Sequence, residues 1–254
     1  MCGRFASFSE SQDLADELAI AEIAEDARLL PPSWNVAPTD PVRIVVERAA
    51  KGSEEVTRSM RLARWGLVPS WAKDPSVGAR MINARSESLL DKPAFAKPFA
   101  ARRCLVLADG YYEWRKLSRP DAGSTSSKKV PKQAYWIHPA GPGAAVFAGL
   151  YEFWRNPAAS ESDPDRWLIS TTVVTRPASD QMTAIHDRMP LVLPPEAWNA
   201  WLDPSVRDAS NLLQVDAPPL ATLPVRDAVG TVQNDGPSLI EEDPEPRDPE
   251  PVRV

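Results

Sequence analysis

The chain has 254 residues, 43% of them hydrophobic, with two cysteines and a formal net charge of −6. A full core is within reach, no run approaches the roughly 20 apolar residues of a membrane span, and two cysteines do not make a disulfide framework. The acidic total argues against a nucleic-acid binder, but Arg58 to Lys132 holds 16 Lys/Arg against 6 Asp/Glu, or +10, and the remainder carries −16. A basic middle between acidic flanks reads either as a solvated surface or as a local attractor for a polyanion.

In chain order, Ser9 to Leu18 is predicted as a short helix. Ser9 is its expected cap, Gln12 its capping-box partner, and Leu14 and Leu18 share one face. The prolines of PPSWNVAPTD exclude helix. Arg43 to Glu47 reads as a strand, and Arg64 to Trp71 (RWGLVPSW) as a loop. Ser86 to Asp91 is expected to be a short helix. Cys104 to Ala108 has a buried-strand pattern, and Tyr111 to Arg115 continues it past a DG turn. Strands are expected at Ala134 to Ile137 and at Ala145 to Tyr151. Trp167 to Thr175 is the clearest strand, being rich in β-branched residues. Pro195 to Leu202 reads as a helix started by proline, with Trp198 and Trp201 inward. Trp154 and Trp167 are also expected in the core. Leu223 to Arg226 is the last expected strand. Lys116 to Lys132 and Asn156 to Asp165 read as loops. The acidic, proline-rich stretch after Pro237 is expected to be disordered. This organisation predicts one α+β domain over residues 1–236 with a mostly antiparallel sheet and peripheral helices, followed by a tail over residues 237–254.

The opening MCGRF carries the most distinctive chemistry. Removal of Met1 leaves Cys2 as a 1,2-aminothiol, with an α-amine and a thiol on neighbouring carbons. An aldehyde carbon accepts both in turn, first as an imine and then as a five-membered thiazolidine. That ring closure is intramolecular and so avoids most of its entropic cost. The alternative for Cys2 is a small core residue. Glu113, between Tyr112 and Trp114, reads either as a raised-pKa acid/base or as an exposed strand glutamate. His186 in AIHDRMP reads as a proton shuttle or as a surface histidine. Asn83 and Arg85 share a face if extended, and suit phosphate oxygens, with Arg85 pairing to Glu87 as the alternative. Trp65 and Trp71 lie in a basic loop where stacking on nucleobases is expected. No Cys/His spacing suggests zinc, and no metal or organic cofactor is expected.

MCGRF, WNVAPT, RWGLVPSW, MINARSE, DGYYEW, FAGLYE, STTVVT and IHDRMP occur in this order between Met1 and Pro190. Together they resemble the SRAP family of abasic-site processing proteins, over roughly Met1 to Asp227, and the resemblance implies that the sheet is barrel-like. The resemblance implies recognition of abasic sites in single-stranded DNA, including junctions with duplex. It implies covalent capture of the C1′ aldehyde by Cys2. It implies that Asn35 lines the pocket, that Glu113 assists the sugar and reversal, and that His186 handles protons. Arg4, Asn83, Arg85 and Ser86 are implied as DNA backbone contacts, and the loop from Trp65 to Trp71 as lying near the DNA path. A cytoplasmic monomer, associated with the nucleoid when bound to DNA, is the expectation. The alternatives are a class II glutamine amidotransferase, which also uses an N-terminal cysteine, a thiol autopeptidase that cleaves its own leader, and a non-covalent single-stranded DNA binder.

Overall fold

Alternating apolar residues along the β-branched segments build two sheets that share one core. The computed structural model describes residues 2–49, 55–117, 130–163, 166–248 and 250–253. The N-terminal part runs β1 (Phe5–Ser7), α1 (Ser11–Glu17), β2 (Glu22–Ile23), α2 (Glu25–Leu29), β3 (Ser33–Val36), β4 (Pro41–Ala49), β5 (Val56–Trp65), β6 (Asn83–Arg85) and α3 (Pro93–Ala101). It continues with β7 (Arg103–Ala108), β8 (Gly110–Lys116), β9 (Lys132–Pro139), β10 (Ala145–Arg155), β11 (Trp167–Pro177), α4 (Asp180–Thr183), β12 (Arg188–Pro190), α5 (Pro195–Leu202) and β13 (Leu220–Val225).

One sheet has the order β13-β9-β8-β1-β3. In the other, β5, β4, β7, β10 and β11 lie side by side, and a parallel pairing of β11 with β5 closes them into a ring. The expected α+β fold with a barrel-like, mostly antiparallel sheet is what forms. Strand β4 shows how the ring sorts its faces. Val45 points to the helices α1, α3 and α5, while Ile44 and Val46 point into the ring. The interior is tight. A Cβ on Gly149 would stand 2.8 Å from Val106 Cγ2 and 2.9 Å from Cys104 Sγ. Phe5 and Tyr111 of the first sheet cap this interior against Phe147, at 5.9 and 6.0 Å between ring centroids. The N-terminus is therefore held over one end of the ring.

Several expectations change. Helix α1 begins at Ser11 without a side-chain cap. Ser9 bonds instead to the Asp109 carboxylate, and Gln12 to Asp16, so the capping box does not form. The stretch from Ser86 closes only a 3₁₀ turn, Ser86–Ser88. Strand β5 lacked a strong apolar alternation, and its pairing with β4 decides it. Helix α3 encloses Pro98, which hid it from periodicity. Trp167 is exposed rather than in the core. The acidic tail is packed, not disordered. Leu239 is buried, Asp248 is 3% exposed, and Glu242 bridges to Val225. Most of the Lys116 to Lys132 loop lies outside the described residues.

Candidate functional site

Cys2 sits at the head of β1, which is hydrogen-bonded between β8 and β3. The registers Phe5↔Tyr111 and Ala6↔Gly110 run antiparallel, and the Tyr112 N–H donates to the Arg4 carbonyl at 2.9 Å. Continued toward the terminus, that register carries the first residues alongside Glu113. Cys2 is fully buried in the interior cluster with Phe5, Tyr111 and Met189. The Asn83 side-chain amide donates to the Cys2 carbonyl at 2.7 Å. Asn83 gets there because β6 pairs in parallel with β11, Asn83 opposite Val173. Burial pushes the Cys2 thiol well above its ordinary value, and the Glu113 charge pushes it further.

Glu113 is 4% exposed, on the strand face that also carries Tyr111. Burial raises its carboxyl above the ordinary 4.5. His186 Nε2 lies 4.0 Å from Glu113 Oε2. Its Nδ1 accepts the Arg188 N–H at 3.0 Å and lies 2.8 Å from Asp187 Oδ1. In the neutral ring the accepting Nδ1 leaves the proton on Nε2, which faces Glu113. In the doubly protonated ring Nδ1–H has the Asp187 carboxylate to donate to. Such a ring has an outlet for a proton on each side.

Tyr111 is a site residue that sequence reasoning missed. Its hydroxyl is buried without a hydrogen-bond partner among the described residues, as is Asn83 Oδ1. Burial, then the charges of Cys2 and Glu113, raise the Tyr111 hydroxyl well above its usual range. The signal was present in the strand alternation, since Tyr111 and Glu113 are two residues apart.

The remaining predicted residues divide. Asn35 is 3% exposed and accepts from Arg4 at 2.7 Å. Its amide donates to the carbonyls of Thr231 and Asn234 at 3.0 and 2.6 Å. These contacts position Arg4, and none of them reaches Cys2. Arg4 also donates to the Val229 carbonyl at 2.8 Å and is half-buried. Trp65 is fully buried and donates to the Ile82 carbonyl at 2.9 Å, so it cannot stack on a base. Trp71 is 67% exposed. Ser86 is nearly buried and donates to Glu87 at 3.0 Å, whereas Arg85 is exposed. Glu87 is taken by Arg188, not by Arg85. Lys73, Arg80 and Arg85 are the exposed cations of the stretch from Trp71 to the end of β6. Among the described residues, no group of three His, Cys, Asp or Glu side chains could hold a metal ion. No helix there is long and apolar enough to cross a membrane.

A family model described as SOS response associated peptidase (SRAP) matches residues 1–232. The chain is 36% identical over 245 residues to the abasic site processing protein YoqW of Bacillus subtilis (strain 168), covering 95% of this chain and 99% of that protein. It is 34% identical over 240 residues to the abasic site processing protein HMCES of Gallus gallus, covering 82% and 66%. Among solved structures, a protein from Bacteroides thetaiotaomicron has the same fold, with a TM-score of 0.75 at 20% identity over 95% of this chain and all of that one. A phage-related protein from Bordetella bronchiseptica matches with a TM-score of 0.61 at 30% identity, over 89% and 94%.

Proposed function

The chain belongs to the SRAP family, and from that membership and the surroundings of Cys2 we propose that it captures abasic sites in single-stranded DNA as a thiazolidine. The carrying observation is a pair of buried polar atoms with no hydrogen-bond partner among the described residues, Tyr111 Oη and Asn83 Oδ1, beside a buried cysteine. Orphaned buried polar groups cost free energy unless something meets them. The hydroxyls of a ring-opened deoxyribose are of the right kind to do so. An abasic nucleotide has no base to unstack, so turning it into such a pocket is cheap.

The chemistry follows from the ionisation states. With Met1 removed, the α-amine of Cys2 has an ordinary pKa of about 8. The thiol, raised by burial and by Glu113, is protonated at neutral pH. The amine is therefore the first nucleophile. It adds to the C1′ aldehyde, and loss of water gives the imine, with the departing oxygen protonated by His186 or Glu113. The Cys2 sulfur then bonds to the imine carbon, the C=N electron pair moves to nitrogen, and the thiol proton ends on that nitrogen. Reversal retraces these steps, with protonated Glu113 as the acid. Arg85, Arg80 and Lys73 hold the strand's phosphates, and Trp71 offers an exposed stacking face.

The test is a denaturing gel of the full-length protein with a single-stranded oligonucleotide carrying one abasic site. A heat-stable band one chain heavier is expected. Cys2→Ala should remove that band and leave only a borohydride-trappable imine; a heat-stable band with Cys2→Ala would sink the proposal. His186→Ala should slow band formation by about 10²-fold.

A further inference from the structure

The acidic tail runs past the end of the site. The SRAP model matches only as far as residue 232, so this segment lies beyond it. The 3₁₀ turn Pro237–Ile240 packs Leu239 on the outer face of the first sheet. The chain then follows the edge of β13, where the Asp243 N–H donates to the Pro224 carbonyl at 2.9 Å. It reaches the strand face that carries Glu113. There the Asp248 carboxylate accepts from Arg115 and from the Tyr135 hydroxyl, each at 2.5 Å. Arg115 also donates to the Glu250 carbonyl at 2.9 Å, and the Val252 N–H donates to the Tyr135 oxygen at 3.1 Å.

The position of these two donors is what matters. Tyr135 is the cross-strand partner of Glu113. Arg115 stands two residues beyond Glu113 on the same face, about 6.6 Å along the strand. Arg115 remains 29% exposed while its carboxylate partner is covered, so the guanidinium is reachable from solvent. A guanidinium with an adjacent hydroxyl is a donor set for one anionic group with several oxygens.

We propose that Arg115 and the Tyr135 hydroxyl form a phosphate subsite for the DNA strand next to the sugar held at Glu113, and that Asp248 occupies this subsite in the free protein. The proposal rests on the reading of the site as a single-stranded DNA surface. The tail competes from within the molecule, at the high effective concentration that tethering gives. DNA must displace one carboxylate to place one phosphate, which loosens the tail at Asp248.

The probe is a fluorescent single-stranded oligonucleotide with one tetrahydrofuran residue. It mimics the abasic sugar but has no aldehyde, so its binding does not depend on the Cys2 chemistry. Anisotropy at low salt is measured for the full-length protein and for Asp248→Asn, Arg115→Gln and the double variant. Asp248→Asn should bind about fivefold tighter and Arg115→Gln about fivefold weaker, with the double variant equal to Arg115→Gln. Unchanged or weaker binding by Asp248→Asn overturns the proposal, as does a double variant that keeps the gain. Binding by no variant overturns both this proposal and the DNA reading. Should Asp248→Asn fail to fold, the unaltered protein supplies the answer. Tryptic cleavage after Arg247, read by mass spectrometry as loss of the peptide that begins at Asp248, should speed up when the oligonucleotide is added, and unchanged cleavage overturns the proposal. Failure on the crosslink gel alone would count against Cys2 and not against the subsite.

Discussion

Two side chains on one strand face, Tyr111 and Glu113, carry a cost in the folded protein that points to their use. The Tyr111 hydroxyl is buried without a hydrogen-bond partner among the described residues. Tyr111→Phe should therefore raise stability, by about 1 kcal/mol in urea unfolding, while slowing crosslink formation on the gel. Glu113 has a carboxyl raised above 4.5 by burial. The folded state then holds this proton more tightly than the unfolded state does. Between 4.5 and the raised value, unfolding free energy falls as pH rises, and above that value the penalty persists in full. Glu113→Gln removes the penalty. Its melting temperature should exceed that of the unaltered protein at pH 7–8, and the gain should vanish below about pH 4, near the unfolded-state pKa. Equal melting temperatures at pH 7–8 would mean that burial does not govern this carboxyl.

At the scale of elements, two arginines hold the site's supports in place. Arg188 of β12 pairs with Glu87, in the turn that follows β6, and so fixes the short strand that carries Asn83. The side-chain bond from Arg188 lowers the Glu87 carboxyl to about 2. This stabilisation is fully present above the unfolded-state value of 4.5 and is lost as pH falls through about 2. Glu87→Gln should melt below the unaltered protein at pH 6, with the difference shrinking from pH 4.5 downward. Arg103 is 6% exposed and donates to the carbonyls of Phe99, Trp201, Asp203 and Val206. It ties α3 and the end of α5 to β7. Arg103→Met would take a donor from each of these carbonyls, of which the bonds to Phe99 and Trp201 are buried. It should cost about 3 kcal/mol in the urea midpoint analysis.

For the whole molecule, the excess of positive charge between Arg58 and Lys132 is only partly free to meet phosphates. Arg58 is spent on Glu47 and the Leu18 carbonyl, Arg102 on Glu152, and Arg103 on backbone carbonyls. The exposed remainder includes Lys73, Arg80 and Arg85. If these three meet phosphates, affinity for single-stranded DNA should fall about 20-fold between 50 and 200 mM salt, from a slope near −0.7 per contact. A slope near zero in a salt titration would show that the phosphates are not what this surface binds. Cys104 takes no part in the chemistry. Its thiol is walled into the ring and pushed up to about 12 by burial, so Cys104→Ala should crosslink as the unaltered protein does.

The sequence by itself determined the strand-rich α+β class, the α5 helix with its two inward tryptophans, and the cysteine at position 2. These depend on residue type and short-range alternation, which are local. It also placed Glu113 and His186 among the candidates, because charged groups between aromatics and beside prolines stand out in one dimension. Only the tertiary structure decided which candidates meet. The β1–β8 and β6–β11 pairings bring Cys2, Asn83, Tyr111 and Glu113 together across 111 residues of sequence, and no local pattern encodes those registers. It removed Trp65 from the surface, since ring closure between β5 and β11 buries the end of β5. It turned Asn35 toward Arg4, and it packed an acidic, proline-rich tail that composition marks as disordered. The tail is held by a buried carboxylate meeting an arginine and a tyrosine on two neighbouring strands, a long-range pairing that composition cannot express.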